Sequence, residues 1–363
     1  METPLNNFQL ETIYDTVLRA EDARKEEVKE LSDLFAENAR LIITPNNKCA
    51  CSCLHCVADS TPSGDMMSYK KFSEIDPEFF NIFSAADFGR RGNPLLYNSE
   101  GHDLADLLHL LHDNGINEFT LALALQEKKV PALERLTQFK DDNQEISLGT
   151  MITYHHYYKN LDTIKHAQNF NSTLKHYIKF SDDILISLLG DNYSQQPSKA
   201  DEVMDTFRNN WDIIFANLEI EPIEKGILYK VKYEGKEAQL KIPSLDTRLY
   251  PLGRFKQYLS DKGVLEDYTI QFNQQMGDYA CPDLIKWPGI IIEPDGSLNL
   301  CASFEAINCN GAVVSNIFKT YSEVKEELMQ LYQKEFNWFV KNLPDVIAGN
   351  VSTCKMKNNC YSK

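Results

Sequence analysis

From residue 39 to about residue 257, short apolar runs alternate with longer stretches in which apolar residues recur every three or four positions. Apolar runs of about four to eight residues are typical of buried strands, and the three-to-four spacing is typical of amphipathic helices. Strands that alternate with helices pair in parallel through right-handed crossovers, so the pattern predicts an α/β fold. The predicted strands are residues 41–44, 80–86, 119–125, 146–152, 184–189 and 226–233.

The sixth strand is followed by a turn sequence, Glu234-Gly235, which is typical of a β-hairpin. Its next partner is therefore expected to be antiparallel. Helical spacing follows the earlier strands and ends, after the second of them, at Gly115. Five or six strand–helix units are too few for a closed eightfold barrel.

The pattern changes on both sides of this repeat. Residues 8–38 alternate apolar and charged positions at helical spacing, which predicts an N-terminal helical segment over residues 1–38. After residue 257 the strand–helix repeat stops, and Pro294-Asp295-Gly296 predicts a hairpin turn between two short strands. A last helix is predicted over residues 322–342, with Pro344 as its stop. The predicted segments are thus residues 1–38, 39–257 and 258–363.

Composition narrows the class of protein. The 363 residues include 43% hydrophobic and 25% charged residues, which are ordinary globular values. No apolar run approaches the ~20 residues of a membrane span, and the amino terminus lacks a signal-peptide pattern. Nine clustered cysteines favour metal binding in a reducing compartment, which predicts a cytoplasmic protein. The net charge of −16 argues against a nucleic-acid binder.

Four of the nine cysteines lie within residues 49–56, directly after the first predicted strand. Cys49, Cys53 and Cys56 have the spacing C-x3-C-x2-C, while Cys51 lies inside that spacing without belonging to it. A structural zinc site takes four protein ligands. Three thiolates leave one metal position open, which suits an iron–sulfur cluster that binds a further ligand. A zinc knuckle and a redox dithiol are the alternatives.

This spacing after a first strand resembles the radical S-adenosylmethionine (SAM) family. The resemblance implies a [4Fe–4S] cluster on the three cysteines, with SAM bound at its unique iron. It also implies reductive cleavage of SAM to a 5′-deoxyadenosyl radical that abstracts a substrate hydrogen. The implied fold is a partial (β/α)6 TIM-like barrel, here with an N-terminal helical segment and a small C-terminal cysteine-bearing α+β extension.

The resemblance continues after the second predicted strand. Gly92-Asn93-Pro94 stands where the family carries a Gly-Gly-Glu-Pro motif that contacts the SAM amino group, with Asn93 in place of the glutamate. The Asn93 carbonyl is expected to accept a hydrogen bond from the ammonium, or Asp87 to replace it. The remaining SAM contacts that the resemblance implies are Thr150, Ser187, Arg248 and Arg254. The alternatives are ordinary strand residues for the first two and surface salt bridges for the arginines.

The C-terminal cysteines resemble the SPASM or twitch extension of some radical SAM enzymes. A hairpin turn separates the first two of them, and Val351 stands where a full SPASM extension has a further cysteine. One auxiliary [4Fe–4S] cluster is therefore expected, and inert or zinc-binding thiols are the alternative. Cys309 is a candidate catalytic hydrogen donor, a replacement for one of the auxiliary cluster ligands, or a buried inert thiol. The expected ligands of the auxiliary cluster are Cys281, Cys301, Cys354 and Cys360.

The resemblance implies a radical SAM enzyme, an oxidoreductase or bond-forming enzyme, that modifies a peptide. A dehydrogenase or tailoring enzyme acting on a small molecule or sugar is the alternative within the family. A non-enzymatic zinc-binding interaction protein is the alternative from another class. Expected partners are a reductant such as flavodoxin or ferredoxin and a separate leader-binding protein, since the first strand already begins at Leu41. No nucleic acid and no membrane are expected.

Overall fold

The computed structural model describes residues 29–50, 56, 58–89, 91–124, 131–155, 163–189, 221–223, 226–243, 253–268, 287–300 and 313–347. Its strands are β1 Phe35–Ile43, β2 Ala85–Phe88, β3 Asn98–Ser99, β4 His102–Asp103, β5 Glu118–Leu123, β6 Ser147–His155, β7 Asp183–Leu189, β8 Glu221–Ile223, β9 Gly226–Tyr233, β10 Lys236–Pro243, β11 Trp287–Ile292, β12 Ser297–Asn299 and β13 Val313–Asn316. Its helices are α1 Tyr69–Ser73, α2 Pro77–Phe80, α3 Leu104–Asp113, α4 Pro131–Asp142, α5 Thr163–Tyr177, α6 Gly253–Asp261 and α7 Tyr321–Ile347. Short 3-10 helices lie at Leu31–Leu34 and Pro94–Leu96.

Among the described residues, eleven strands form one sheet in the order β13-β12-β11-β1-β2-β5-β6-β7-β10-β9-β8. The pairings from β11 through β10 are parallel, and those at the two ends of the sheet are antiparallel. Strands β3 and β4 form a separate two-stranded ribbon. The fold is therefore a mixed α/β fold with a large, mostly parallel sheet. Among the helices that the structure describes, none combines the length and apolar content needed to cross a bilayer.

Predicted strands one, three, four and five correspond to β1, β5, β6 and β7, with differences at their ends. The second prediction, residues 80–86, is wrong in its first half because Phe80 ends α2 and the strand begins at Ala85. Asp76 caps α2 by accepting a hydrogen bond from the Glu78 N–H, and Pro77 fits the first helical turn. The helix-start signal at Asp76-Pro77 thus overrides the strand that the apolar run predicts.

The start of β1 also differs from prediction. Residues 35–38, assigned to the N-terminal helical segment, belong to β1, and residues 31–34 form a 3-10 helix. Residues 1–28 lie outside the described residues. In the described part of this segment, a short 3-10 helix and the extended backbone of β1 therefore replace the predicted helix. Phe35 explains this choice, because it is buried between the rings of Phe83 and Trp287.

The predicted sixth strand, residues 226–233, is β9, and it pairs antiparallel with β10. The hairpin is confirmed: Glu234 and Gly235 have φ values of +48° and +83°, as a two-residue type I′ turn requires. When β1 is counted as the first, the sixth strand of the parallel series is instead β10, which pairs with β7.

The hairpin at Pro294-Asp295-Gly296 is confirmed between β11 and β12, with Gly296 at φ +84°. Strand β11 pairs in parallel with β1, so the sheet is continuous across the predicted boundary near residue 258. Helix α7 extends beyond Pro344 to Ile347, so Pro344 is wrong as a helix stop. Proline removes one backbone hydrogen bond, which a helix of 27 residues tolerates.

The two sides of the parallel sheet differ in what covers them. Successive side chains of a strand point to opposite sides. On one side, the helix face, Phe119 of β5 packs against Phe139 of α4 at 6.0 Å between ring centroids. On the other side, the open face, the neighbouring residues Met151 and Leu185 are 36% and 38% exposed. The hydroxyl group of Tyr177 in α5 donates a hydrogen bond to the Ala124 carbonyl at 2.7 Å, which ties this helix to the residue after β5.

Gly289→Ala tests whether the β1–β11 pairing depends on close backbone approach. A Cβ at Gly289 would lie 2.3 Å from the Arg40 carbonyl oxygen, whereas a Cβ at the strand residue Gly149 would meet nothing closer than 3.8 Å. We expect Gly289→Ala to lower the free energy of unfolding by about 1–3 kcal/mol. Gly149→Ala should leave it unchanged or raise it by up to about 1 kcal/mol. Urea denaturation followed by circular dichroism measures both, and equal effects would contradict the close approach.

Candidate active site

The cysteine loop, residues 49–56, leaves the sheet at the carboxyl end of β1. The Thr44 N–H donates to the Ile292 carbonyl at 2.9 Å, so the chain leaves the sheet beside the end of β11. The two sides of the loop then join: the Asn47 N–H donates to Asp65 O at 2.8 Å and the Cys49 N–H to Thr61 O at 2.9 Å. These backbone hydrogen bonds fix the base of the loop at the edge where parallel strands end.

Cys49 and Cys56 carry reduced thiols that are partly exposed. Cys53 and Cys51 lie outside the described residues, so the predicted three-cysteine set is described only in part. Within the described part of the chain, no group of three His, Cys, Asp or Glu side chains forms a metal site. The two described thiols are nevertheless accessible at one loop, as ligands of an iron–sulfur cluster must be.

The turn Gly92-Asn93-Pro94 contacts the base of the cysteine loop through its backbone. The Asn93 N–H donates to the Lys48 carbonyl at 2.6 Å, and Asn46 Nδ2 donates to the Asn93 carbonyl at 3.2 Å. The Gly92 N–H donates to Ser60 Oγ at 2.9 Å, on the returning side of the loop. The structure therefore brings together the two motifs that the sequence analysis singled out.

Only glycine fits at position 92. Its φ is +67°, and a Cβ there would lie 2.5 Å from the Asn46 carbonyl oxygen and 2.8 Å from that of Lys48. Any side chain would both strain the backbone and push the turn away from the cysteine loop. The close approach of two backbones thus explains the residue type.

Asn93 has a different role from the one predicted. Its side chain is only 2% exposed, and its Oδ1 accepts a hydrogen bond from the Leu95 N–H at 3.2 Å. This contact caps the 3-10 helix that follows. Asn93 therefore shapes the turn through the same side-chain oxygen that was predicted to accept a hydrogen bond from SAM.

Arg254, at the start of α6, closes the cysteine loop from the other side. Its N–H donates to the Cys56 carbonyl at 3.1 Å, and its Nη2 donates to Ser60 O at 2.5 Å. Its Nε pairs with Asp59 Oδ1 at 3.0 Å. Arg254 therefore lies beside the cysteine loop, and its guanidinium contacts the residues that follow the loop. The ion pair that was the alternative interpretation is present.

Thr150 and Ser187 lie on opposite sides of the sheet. Thr150 is 2% exposed on the helix face, where its hydroxyl contacts that of Ser181. Ser187 pairs in register with Thr153 and shares the open face with Leu185. The two residues predicted to contact SAM therefore do not share one face of the sheet. The remaining predicted site residues, Arg248, Cys281, Cys301, Cys309, Cys354 and Cys360, lie outside the described residues.

A charge network on the open face escaped the sequence analysis. Arg40 of β1 binds both carboxylate oxygens of Asp87 at 2.8 Å and one oxygen of Glu118 at 2.6 Å. Hydrogen bonds to Asp87 and Glu118 raise the pKa of Arg40 above its ordinary value, despite partial burial. Asp87 is thus engaged by Arg40, which removes it as the substitute predicted for the missing glutamate. All three residues lie directly beside the apolar runs that predicted these strands, one position outside the predicted bounds.

A second ion pair lies beside the Gly92 turn. Arg91 precedes this turn, and Glu293 follows β11. Arg91 Nε lies 3.7 Å from Glu293 Oε2, and the two side chains are only 21% and 10% exposed. The residues are far apart in the sequence, and no motif marked either one. The pair joins the segment after β2 to the C-terminal hairpin.

Comparison with known proteins does not assign this chain to a family. No family model matches the chain, and no curated protein matches it. Among solved structures, the chain is similar to Streptococcus suis SuiB, in a crystal structure described as bound to S-adenosylmethionine, at 12% identity and a TM-score of 0.40. The match covers 89% of this chain and 72% of that one. Similarity of this size carries no argument about function, which has to rest on the residues of the site.

Gly92→Ala tests the contact between the turn and the cysteine loop. Gly115→Ala is the matched control, because Gly115 has φ +90° but open space where the added methyl group would lie. Both substitutions strain the backbone by about 1–2 kcal/mol. We expect only Gly92→Ala to displace the loop, which would speed alkylation of Cys49 by iodoacetamide, as measured by peptide mass spectrometry. Equal alkylation rates in the two variants would show that the turn does not hold the loop.

Proposed function

We propose that this chain is a radical SAM enzyme whose Cys49, Cys53 and Cys56 hold a [4Fe–4S] cluster. Held there and reduced, the cluster would supply the reductive cleavage of SAM and, through it, hydrogen abstraction from a substrate, chemistry that belongs to the cofactor. The observation that carries the proposal is the junction of the cysteine loop with the Gly92 turn at the carboxyl ends of parallel strands. Barrel-type α/β enzymes place their chemistry at this edge.

The donor set fits this cofactor better than it fits zinc. The spacing supplies three thiols in one loop. Structural zinc requires four protein ligands. Cys49 and Cys56 are partly exposed, so a bound group at the loop could contact a further ligand.

The chain's own residues position the loop and shape the space beside it. The Asn93 N–H and the Arg254 guanidinium hold the backbone of the loop from two sides. Both contacts are made to backbone carbonyl groups, those of Lys48 and Ser60, on the two sides of the loop. Ser187 on the open face is the described polar residue that we assign to contact with SAM.

We further propose a peptide as the substrate. The open face exposes the apolar side chains of Met151 and Leu185 beside the Asp183–Lys241 ion pair, whose charged atoms are 3.0 Å apart. Two exposed apolar side chains beside one positive and one negative charge suit a peptide, because a peptide carries both apolar and charged groups. A reductant such as flavodoxin or ferredoxin and a separate leader-binding protein complete the proposal, in the reducing cytoplasm.

An auxiliary [4Fe–4S] cluster on Cys281, Cys301, Cys354 and Cys360 is part of the same proposal. Its support is the β11–β12 hairpin, which lies in the sequence between the first two of these cysteines, as the resemblance requires. Cys309 stays a candidate hydrogen donor. Strand β11 joins this segment to β1, from which the cysteine loop begins.

Alanine substitution of Cys49, Cys53 or Cys56 tests the first cluster, with Cys51→Ala as the control within the same loop. After anaerobic reconstitution, we expect each of the three variants to lose iron and dithionite-dependent release of 5′-deoxyadenosine. Cys51→Ala should keep both, because the predicted ligand set excludes it. A colourless wild-type protein that binds zinc and does not cleave SAM would overturn the proposed function.

Cys354→Ala tests the auxiliary cluster separately. We expect the iron content to fall from about eight to about four atoms per chain, because one of two four-iron clusters is lost. SAM cleavage should continue, whereas the mass change of a co-encoded candidate peptide should disappear. A Cys354→Ala protein that keeps all its iron and modifies the peptide normally would show that this cluster assignment is wrong.

A further inference from the structure

The open face carries a row of small and polar residues near the amino-terminal ends of β6 and β7. Backbone pairing aligns Gly149 of β6 with Asp183 of β7, and Asp183 with Gln239 of β10. Gln239 in turn pairs with Lys230 of β9. Residues aligned in this way share one side of a sheet, and Leu185, two residues after Asp183, is exposed on the open face. These four aligned residues, 149, 183, 239 and 230, are named the polar row.

The polar row lies away from the edge at which the cysteine loop leaves the sheet. Ser187, the proposed SAM contact, is four residues beyond Asp183 toward the carboxyl end of β7. At about 3.3 Å per residue, this separates Ser187 from the polar row by about 13 Å along the strand. A group bound at the polar row therefore belongs to a part of the substrate remote from the reacting centre.

Lys230 brings a free positive charge to the polar row. Its neighbours Tyr229 and Val231 are buried on the helix face, so Lys230 lies on the open face, where it is exposed. Within the part of the chain that the structure describes, no acidic side chain pairs with it. Lys232, two residues further along β9, is by contrast paired with Glu237 at 3.1 Å.

A second lysine lies diagonally opposite Lys230 in the β9–β10 hairpin. Lys241 is two residues beyond Gln239, the pairing partner of Lys230, and so lies on the same side. Diagonal neighbours of this kind are about 7–8 Å apart, which lets two lysine side chains reach one carboxylate. Asp183 offsets one of the two charges, at 3.0 Å from Lys241 Nζ. One positive charge therefore remains, in a chain whose net charge is −16.

Gly149 leaves free space at the other end of the polar row. Its φ lies outside the left-handed region, so its backbone does not require glycine. Among the described residues, an added Cβ would meet only backbone oxygen atoms, none closer than 3.8 Å. Glycine weakens a strand interior and often marks a place where a ligand or another backbone approaches closely. Gly149 thus points to a bound segment that crosses the open face here.

We propose that the polar row binds an acidic side chain of the peptide substrate, an inference that rests on the proposed function. Lys230 and Lys241 donate hydrogen bonds to its carboxylate. The peptide backbone crosses the face at Gly149, and its apolar side chains contact Met151 and Leu185. A glutamate or aspartate beside apolar residues is therefore the expected recognition sequence. Charge complementarity favours this occupant over a basic peptide, which the remaining positive charge repels.

The test measures peptide affinity by fluorescence anisotropy on the reconstituted full-length protein under anaerobic conditions. The probes are two labelled synthetic peptides, one of alternating leucine and glutamate and one with glutamine in place of each glutamate. We expect the wild-type protein to bind the glutamate peptide at least about tenfold more tightly, the effect of one hydrogen bond to a charged group.

Lys230→Gln should lose this preference while keeping the affinity for the glutamine peptide. Lys334→Gln is the matched control, because it removes an equal charge from an exposed site on α7. Helix α7 contacts β13 through the Ser315–Glu327 hydrogen bond, at the opposite end of the sheet from β9. This control should keep the full preference.

Two further variants test the sign of the charge and the free space. Lys230→Glu should bind a third probe, of alternating leucine and lysine, more tightly than the glutamate peptide. Gly149→Val should weaken binding of the glutamate and glutamine peptides alike, at least about tenfold, because its side chain occupies the crossing point. Its urea midpoint should not fall below that of the wild-type protein, since valine suits a strand.

The outcomes separate this inference from the proposed function. Equal loss of preference in Lys230→Gln and Lys334→Gln would overturn the inference, because it would show non-specific attraction. So would a wild-type protein that cleaves SAM but binds neither peptide, or both equally. A lysine that only protects β9 from aggregation would change light scattering and leave the preference intact, which would also overturn it. A wild-type protein that shows the preference but does not cleave SAM would instead overturn the proposed function.

Discussion

The parallel pairing of β1 with β2 on one edge and β11 on the other is the constraint on which the candidate site depends. Parallel strands end at the same edge of a sheet, so this pairing collects three chain exits at one place. The cysteine loop leaves from β1, the Gly92 turn from β2 and the C-terminal hairpin from β11. Without β11, the Thr44 N–H would lose its acceptor, the Ile292 carbonyl. The base of the cysteine loop would then lose one of the hydrogen bonds that hold it at the sheet.

Backbone contacts, more than side-chain contacts, hold the cysteine loop in place. Lys48 and Cys56 accept hydrogen bonds through their carbonyl groups, and the Cys49 N–H donates to Thr61. Such contacts constrain the path of the loop while placing no demand on the cysteine side chains. They also account for Gly92, since backbones approach this closely only where there is no Cβ.

Charged residues inside the sheet divide into two kinds. Arg40, Asp87 and Glu118 form short, well-aligned contacts that satisfy one another on the open face. Arg91 and Glu293 form a longer and less exposed contact nearer the cysteine loop. The fully satisfied network of Arg40, Asp87 and Glu118 stabilises one arrangement of the strands that carry it.

The sequence by itself determined the features that depend on neighbouring residues. Strands β5, β6 and β7, the turns at Glu234-Gly235 and Gly296, and the cysteine spacing are all local patterns. At Phe80, an apolar run predicted a strand while Asp76-Pro77 favoured the start of a helix. The pattern of apolar residues alone did not identify the correct element there. Only the tertiary structure decided that β11 pairs with β1, that Thr150 faces the helices and that Arg91 meets Glu293. Contacts between distant segments depend on strand order and register, which no local pattern encodes.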